Sequence, residues 1–399
     1  MLSNQVILVE GGKITAVGAD VRIPDGATTV DLGQATILPG LIDVHTHLLT
    51  NNRPELGGDD NNLNLIVTQM NLGNRALLGS VMARADLEAG LTTVRDVGNS
   101  GWNGDVALRD AIEQGWVVGP RMIVSTRAIS PPGGQFHRVT AETRSIVEQE
   151  FAQISGVEDA RRAVRQAIAD GADCIKVIAE AATALTVDEL RAIVDEAHRA
   201  RRKVAAHAVR DQTIRDAIDA GVDSIEHGNN VSDDTLRLMA ERKVFLVPTD
   251  PSWDLYVEGE SAVSSLYTRA QILTFQAQTK QLIDRWRGRL KRAIDLGVPV
   301  AAGSDVYYRY AGHSRGEASV IKIVRSFRDA GIAPMDLIRA STVNAAELLG
   351  WSDRIGSIRE GKLADIIAIN GDPLKDITVL ENAVFVMKDG HIYKPTTPR

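Results

Sequence analysis

The sequence predicts an α/β protein, a parallel (β/α)8 barrel carrying a small β-sandwich made from both chain ends. Two observations carry that prediction. Between Leu38 and Asp305, eight short runs rich in β-branched and apolar residues alternate with helical stretches, the pattern of repeated βα units. On either side, residues 5–32 and the segment from Ile355 onward are β in texture, so the two ends are expected to pair. The expected division is 1–36 and 354–399 for the two parts of the sandwich and 37–353 for the barrel.

Composition narrows the class. The chain has 399 residues, 44% hydrophobic and 24% charged, which is ordinary for a globular protein. A net charge of -7 without a basic block leaves no electrostatic footprint for nucleic acid. The single cysteine, Cys174, excludes an internal disulfide framework and a thiolate-only metal cluster. No apolar run approaches the length of a membrane span. Met1-Leu2-Ser3-Asn4 is not a signal peptide, because no charged segment and apolar segment precede a cleavage site. A cytoplasmic location is the expectation for the chain as given, with a natural start and leader further upstream left open.

Taken in order, the chain opens with strands in Gln5–Glu10, Lys13–Gly18 and Thr28–Leu32, the first two separated by Gly11-Gly12. Leu38-Pro-Gly-Leu-Ile-Asp-Val-His-Thr-His47 supplies the first barrel strand. A polar loop over 51–62 leads to a long helical stretch ending near Ala89. Strand Thr92–Val97 is followed by a helix near 104–115. Strand Arg121–Ser125 runs into the loop Pro131-Pro-Gly-Gly-Gln-Phe-His-Arg138. A helix over 157–170 stops at Gly171 and gives way to Cys174–Ile178. The next helix, 186–201, opens with the capping box Thr186-x-x-Glu189 and precedes Lys203–His207. Helix 211–220 stops at Gly221 before Ser224–Gly228. Helix 232–242 precedes Val244–Pro248, and a long helix at roughly 266–296 precedes Val298–Asp305. Helices over 314–330 and 334–349 complete the barrel.

In such a barrel the catalytic groups stand at the C-terminal ends of the strands. There the sequence places His45 and His47 on the first strand, Lys176 on the fourth and His207 on the fifth. His227 ends the sixth and Asp305 the eighth. His45 and His47 share one face, since side chains alternate along a strand, and two imidazoles on one face suit zinc and similar divalent ions. Singly, each residue has an ordinary explanation. A histidine can be hydrogen-bonded in a core, Asp305 can cap a turn, and Lys176 can lie at the surface. Six of them at successive strand ends point instead to a set that satisfies itself around cations.

With these residues in view, the chain resembles the amidohydrolase superfamily, in the branch around imidazolonepropionase and the Xaa-Pro dipeptidases. Within that branch it is most similar to the metal-dependent dipeptidases and the ochratoxin-hydrolysing amidohydrolases. The likeness runs through Leu38–His47, Ile225-Glu-His-Gly228, Ala302-Gly-Ser-Asp305, Thr342–Gly350 and Gly356–Ile367. The resemblance implies two metal ions, with zinc favoured by ligand type. His45, His47 and Asp305 would hold the more buried one and His207 and His227 the second. Lys176 matches the lysine that carbon dioxide carbamylates into a bridging ligand. Cations so held lower the pKa of a water molecule to about 7. Asp305 would accept its proton and pass it to the leaving amine, and His137 would help polarise the carbonyl. Relatives of this kind are often multimers, including octamers, so a homo-oligomer is expected.

Specificity should lie in the loops after the strands. Aromatic residues are only 4% of the chain, yet Trp253, Tyr256, Tyr307, Tyr308 and Tyr310 fall in two of these loops, which favours an apolar or aromatic substrate group. Arg138, Arg309 and Arg315 are candidates to grip a carboxylate through a bidentate fork, and His313 is a further candidate for the pocket. His198 and His391 read as surface residues and Cys174 as a small buried thiol. Two segments depart from the dipeptidase pattern. Gly133-Gly-Gln-Phe-His137 stands in place of a Gly-Gly-His-Gly-like loop, and Asp250-Pro-Ser-Trp253 stands in place of an aliphatic-Tyr segment. The substrates expected are dipeptides, N-acyl amino acids, or an aryl-acyl phenylalanine such as ochratoxin A. The alternatives are a cyclic-amide hydrolase of the imidazolonepropionase kind and a non-catalytic scaffold on the same fold.

Overall fold

Alternating βα units leave each strand one neighbour on either side, and here that pairing closes into a ring. The computed structural model describes residues 2–50, 59–136, 140–257, 268–307 and 312–394. In chain order the strands are β1 (Val6–Glu10), β2 (Lys13–Gly18), β3 (Thr36–Pro39), β4 (Leu41–Thr46), β5 (Leu91–Asp96), β6 (Arg121–Val124), β7 (Ala128–Ser130) and β8 (Phe151–Gln153). They continue with β9 (Cys174–Ile178), β10 (Lys203–Arg210), β11 (Ser224–Asn230), β12 (Phe245–Val247), β13 (Ile366–Ile369), β14 (Ala383–Lys388) and β15 (His391–Lys394).

The barrel wall is parallel, with the order β4-β5-β6 in one part and β12-β11-β10-β9-β7-β8 in the other. The two parts meet where Asp173 N–H donates to the Val124 carbonyl at 2.8 Å. The eighth position is filled by 298–305. Leu246 N–H donates to Pro299 O at 2.9 Å and Val44 N–H to Ala302 O at 2.9 Å, so this segment joins β12 to β4. It is too irregular for a full ladder, because Pro299 has no N–H to give. Gly303 then passes so close to the first strand that an added Cβ would lie 2.7 Å from the Cβ of His45.

Several expectations are corrected. The third barrel strand is not one run over Arg121–Ser125. It breaks at Thr126, whose φ is 59°, into β6, which pairs with β5, and β7, which pairs with β9. A short strand, β8, pairs with β7 where none was expected. The helix expected over 334–349 is two, Pro334–Ala340 and Val343–Leu348. The break is made by the barrel, since the carbonyls of Ala340 and Ser341 accept from Ala302 and Ile42 instead of from the next helical turn. The helical stretch before Ala89 is likewise two helices, Asp59–Gln69 and Leu72–Glu88, with Asn71 capping the second. The capping box at Thr186 forms as expected. Residues 28–32 form no strand.

Both ends of the chain build the sandwich. β1 and β2 form a hairpin around Gly11 and Gly12, both at positive φ, the conformation that a two-residue hairpin turn needs. The opposing sheet runs β15-β14-β13-β3, so β3 from the first tenth of the chain pairs antiparallel with β13 from the last tenth. Ile14, Ala364, Ile366, Ala368 and Phe385 fill the core between the two layers. No helix among the described residues is long and apolar enough to cross a membrane.

Candidate metal centre

All six polar residues at the strand ends line one cavity of about 220 Å³. Asp305 sits at its centre, with Oδ1 3.6 Å from His45 Nε2 and 3.4 Å from His47 Nε2, while Oδ2 lies 3.8 Å from His227 Nδ1. The ring of His45 is centred 5.2 Å from that of His47 and 5.1 Å from that of His227. His207 completes the group, its ring 4.7 Å from His227. Lys176 is buried beside them. Donor atoms of His45, His227 and Asp305 all lie within 4.8 Å of one another, close enough to share a cation.

This convergence depends on unusual backbone. Glu226 and His227 are consecutive and would face opposite sides of a regular strand, yet both face the barrel interior. His227 achieves it at φ 69°, and Asp305 at 52°, in the left-handed region. Thr249, whose hydroxyl meets His227 Nδ1 at 2.7 Å, has φ 53°. Such conformations cost roughly 1–3 kcal/mol each and persist where surrounding structure imposes them.

Each imidazole is oriented from behind. His45 Nδ1 lies 2.6 Å from Glu226 Oε2. The other oxygen of Glu226 accepts from Arg95 Nη2 at 2.8 Å and Ser224 Oγ at 2.6 Å. His47 Nδ1 donates to the Gly98 carbonyl at 2.8 Å. Both rings therefore turn Nε2 into the cavity, the arrangement in which a metal-binding histidine is fixed by a hydrogen bond from its other ring nitrogen. Burial first, then repulsion from Lys176, pushes His45 and His207 down to about 4. Burial and the neighbouring His207 hold His227 well below its usual value. These rings are neutral lone-pair donors at neutral pH. Burial alone would raise Glu226, but Arg95 and His45 hold it below the usual carboxylate range. Burial would also raise Asp305, yet His45 and His227 hold it well below that range. Burial pushes Lys176 down to about 8.

The residues present fit a cation. His47 Nε2 and Asp305 Oδ1 are buried and have no hydrogen-bond partner among the described residues, an expensive condition that a positive ion between them would relieve. Neutral imidazoles with an ionised carboxylate are the donor set of borderline divalent metals.

The amidohydrolase family model matches residues 36–393. This chain belongs to the amidohydrolase family. It is 28% identical to ochratoxinase from Aspergillus niger over 98% of its own length and 83% of that protein. It is 25% identical to imidazolonepropionase from Deinococcus deserti over 94% and 88%. Among solved structures, an amidohydrolase matches at 30% identity with a TM-score of 0.83, over 100% of this chain and 96% of that one. A prolidase complexed with N-methylphosphonate-L-proline matches at 29% identity and 0.81, over 98% and 94%.

Beside the centre of this amidohydrolase lies a larger cavity of about 650 Å³. His207, Asn99, Gln135 and Tyr307 belong to both linings, so the two spaces share one wall. Leu63, Ile66 and Phe136 make it apolar. Tyr307, expected in the pocket, is there, stacked on His47 with ring centres 4.5 Å apart. Trp253 lines neither cavity and instead stacks on Tyr256 at 5.5 Å beneath Lys280. His313 is not among the lining residues either. Arg315 is corrected as a carboxylate grip. It is fully buried, bonded to Asp86 and to the Val306 carbonyl. His137, Arg138, Tyr308, Arg309 and Tyr310 lie outside the described residues. Away from the site, the exposed His198 pairs with Asp223 at 2.8 Å, and burial pushes the Cys174 thiol up to about 12.

Sequence reasoning missed Glu226 and Arg95 as orienting groups. Arg95 carried a signal, an arginine in the middle of a strand read between helical stretches, near Val94 and Val97. Glu226 carried none, because simple alternation turns it away from His227.

Proposed function

We propose that this amidohydrolase is a binuclear metal-dependent enzyme that cleaves an amide bond to an amino acid. One observation carries the reading. Six potential ligands line a small cavity whose buried His47 Nε2 and Asp305 Oδ1 lack partners among the described residues, and that cavity shares a wall with a largely apolar cleft. His45, His47 and Asp305 would hold one cation, with His207 and His227 holding another. Lys176, after its neutral amine adds carbon dioxide, would lie between them as a carbamate, since an ammonium cannot be a ligand. Bound cations, zinc by donor type, would supply Lewis acidity that lowers the pKa of water and polarises the scissile carbonyl. Asp305 stays ionised, takes a proton from the attacking water and delivers it to the leaving nitrogen. Tyr307 and the apolar wall enclose the substrate and exclude bulk water. His137 remains the proposed helper at the carbonyl. Dipeptides, N-acyl amino acids and ochratoxin A are the substrates proposed, the last also because of the likeness to ochratoxinase.

The test combines metal analysis with a hydrolysis panel of those compounds. About two metals per chain and chelator-sensitive release of a free amino acid is the expected result. Metal without amide cleavage removes this substrate class and favours a cyclic amide. Absence of metal after reconstitution removes the reading.

A further inference from the structure

Part of the larger cavity is walled by Leu63, Ile66 and Phe136, and its lining also holds two charged residues, Glu180 and Arg210, the latter ending the fifth barrel strand three residues after His207. Glu180, just beyond the fourth strand, is buried beneath it. Glu180 Oε1 accepts from the backbone N–H of Val209 at 2.5 Å and of Arg210 at 2.7 Å. Its Oε2 accepts from Thr213 Oγ1 at 2.9 Å and from Arg210 Nε. Four donors thus occupy this one carboxylate, which also neutralises the N-terminus of the helix Asp211–Ala220.

The choice of nitrogen matters. A guanidinium is a rigid planar fork. Fixing Nε against Glu180 aligns the plane and leaves the Nη1/Nη2 edge, which makes no hydrogen bond among the described residues. That edge belongs to a side chain 61% exposed that lines the cavity together with His207. It has the geometry for two parallel bonds to a carboxylate. We infer that Arg210 is the subsite for the free carboxylate of the amino acid on the leaving side of the scissile amide, and that Glu180 is its positioning residue. The side chain of that amino acid then rests on Phe136, Leu63 and Ile66, which makes the substrate class N-acyl apolar amino acids with an unblocked C-terminus. The inference rests on the amide-cleaving reading above.

The test uses the metal-loaded protein with N-benzoyl-L-phenylalanine and its C-terminal amide. The sulfonamide N-benzenesulfonyl-L-phenylalanine and its amide, which lack a carbonyl to attack, report binding by calorimetry. The wild type is expected to favour the acid of each pair. R210M should raise KM for the benzoyl acid about 10–100-fold with kcat within about threefold, and abolish the preference for acid over amide. R210K should fall between, keeping charge without the fork. E180Q should raise KM for the acid by less than R210M does, change the amide less than the acid, and keep the folded circular dichroism spectrum. Cleavage by the wild type with an acid preference that R210M leaves intact overturns the subsite while the amide reading stands. Arg210-dependent binding of the sulfonamide acid without hydrolysis supports the subsite and removes the amide reading. Neither binding nor cleavage by the wild type overturns both.

Discussion

Among the buried arginine–carboxylate pairs of the described residues, Arg95–Glu226 and Arg315–Asp86 are used differently. In Arg95–Glu226, both carboxylate oxygens are bonded, and Arg95 Nε also donates to the Val44 carbonyl at 2.6 Å. One oxygen is reserved for His45. In Arg315–Asp86, which ties the helix Arg315–Asp329 to the helix Leu72–Glu88, Asp86 Oδ1 and Arg315 Nε have no partner among the described residues. The charges respond accordingly. Glu226 is held below the usual carboxylate range, whereas burial pushes Asp86 up to about 6 despite its arginine. A buried ion pair is weak evidence of stability by itself. What it does depends on whether its remaining lone pairs and N–H groups are satisfied and by what.

The largest expected effect separates the pairs by function. Glu226→Gln removes the anion behind His45 and should lower metal affinity about 10–100-fold, read by titration against a chromogenic chelator. Asp86→Asn should leave metal affinity within about twofold. Equal losses in the two variants would erase the distinction drawn here.

Stability should separate them next. Removing one partner of a satisfied buried pair costs about 3–5 kcal/mol, so Glu226→Ala, which strands Arg95, should shift the urea midpoint strongly. Asp86→Ala should cost less near pH 5, where Asp86 is already largely protonated.

The pH dependence should then differ in sign. Asp86 has a native pKa of about 6 against an ordinary 3.8, so the folded chain binds the extra proton between those values. Its contribution is most favourable below about pH 4 and is lost as pH rises through 6, by up to about 3 kcal/mol. Glu226 works oppositely, since its native value lies below the ordinary 4.5. Its contribution is present above pH 4.5 and is lost as pH falls. Urea midpoints for wild type and Asp86→Asn across pH 4–7 measure the first slope, which the variant should lack.

The smallest effect probes satisfaction itself. Ser224→Ala removes one donor to Glu226 and should cost about 1 kcal/mol with little change in metal affinity. A large loss of metal would show that His45 depends on the whole network.

Much of the centre was legible because residue type and strand position coincide. His45, His47, Lys176, His207, His227 and Asp305 all follow apolar runs, and a parallel barrel gathers such strand ends. The fold was legible for the same reason, since periodicity records which face is buried. What escaped were features decided by long-range contact. The break between Ala340 and Val343 comes from carbonyls given to barrel strands far away in sequence. The inward turn of both Glu226 and His227 needs a positive φ that nothing in Ile225-Glu-His-Gly announces. Arg315 looked available in sequence but is consumed by Asp86, while Arg210, flanked by an ordinary helix start, gave no hint that Glu180 would aim it.

The clasp between β3 and β13 also bears on how the chain is made. Thr36 Oγ donates to the Gly371 carbonyl, 335 residues away, and the register beside it joins Thr36 to Ile369. A ribosome adding about 5–20 residues per second therefore leaves β3 without its sheet neighbour for tens of seconds after it emerges. Throughout that time the first barrel strand, which begins one residue after β3, is tethered to an unpaired edge. The sandwich accordingly cannot fasten the barrel until β13 has been made, after every barrel strand.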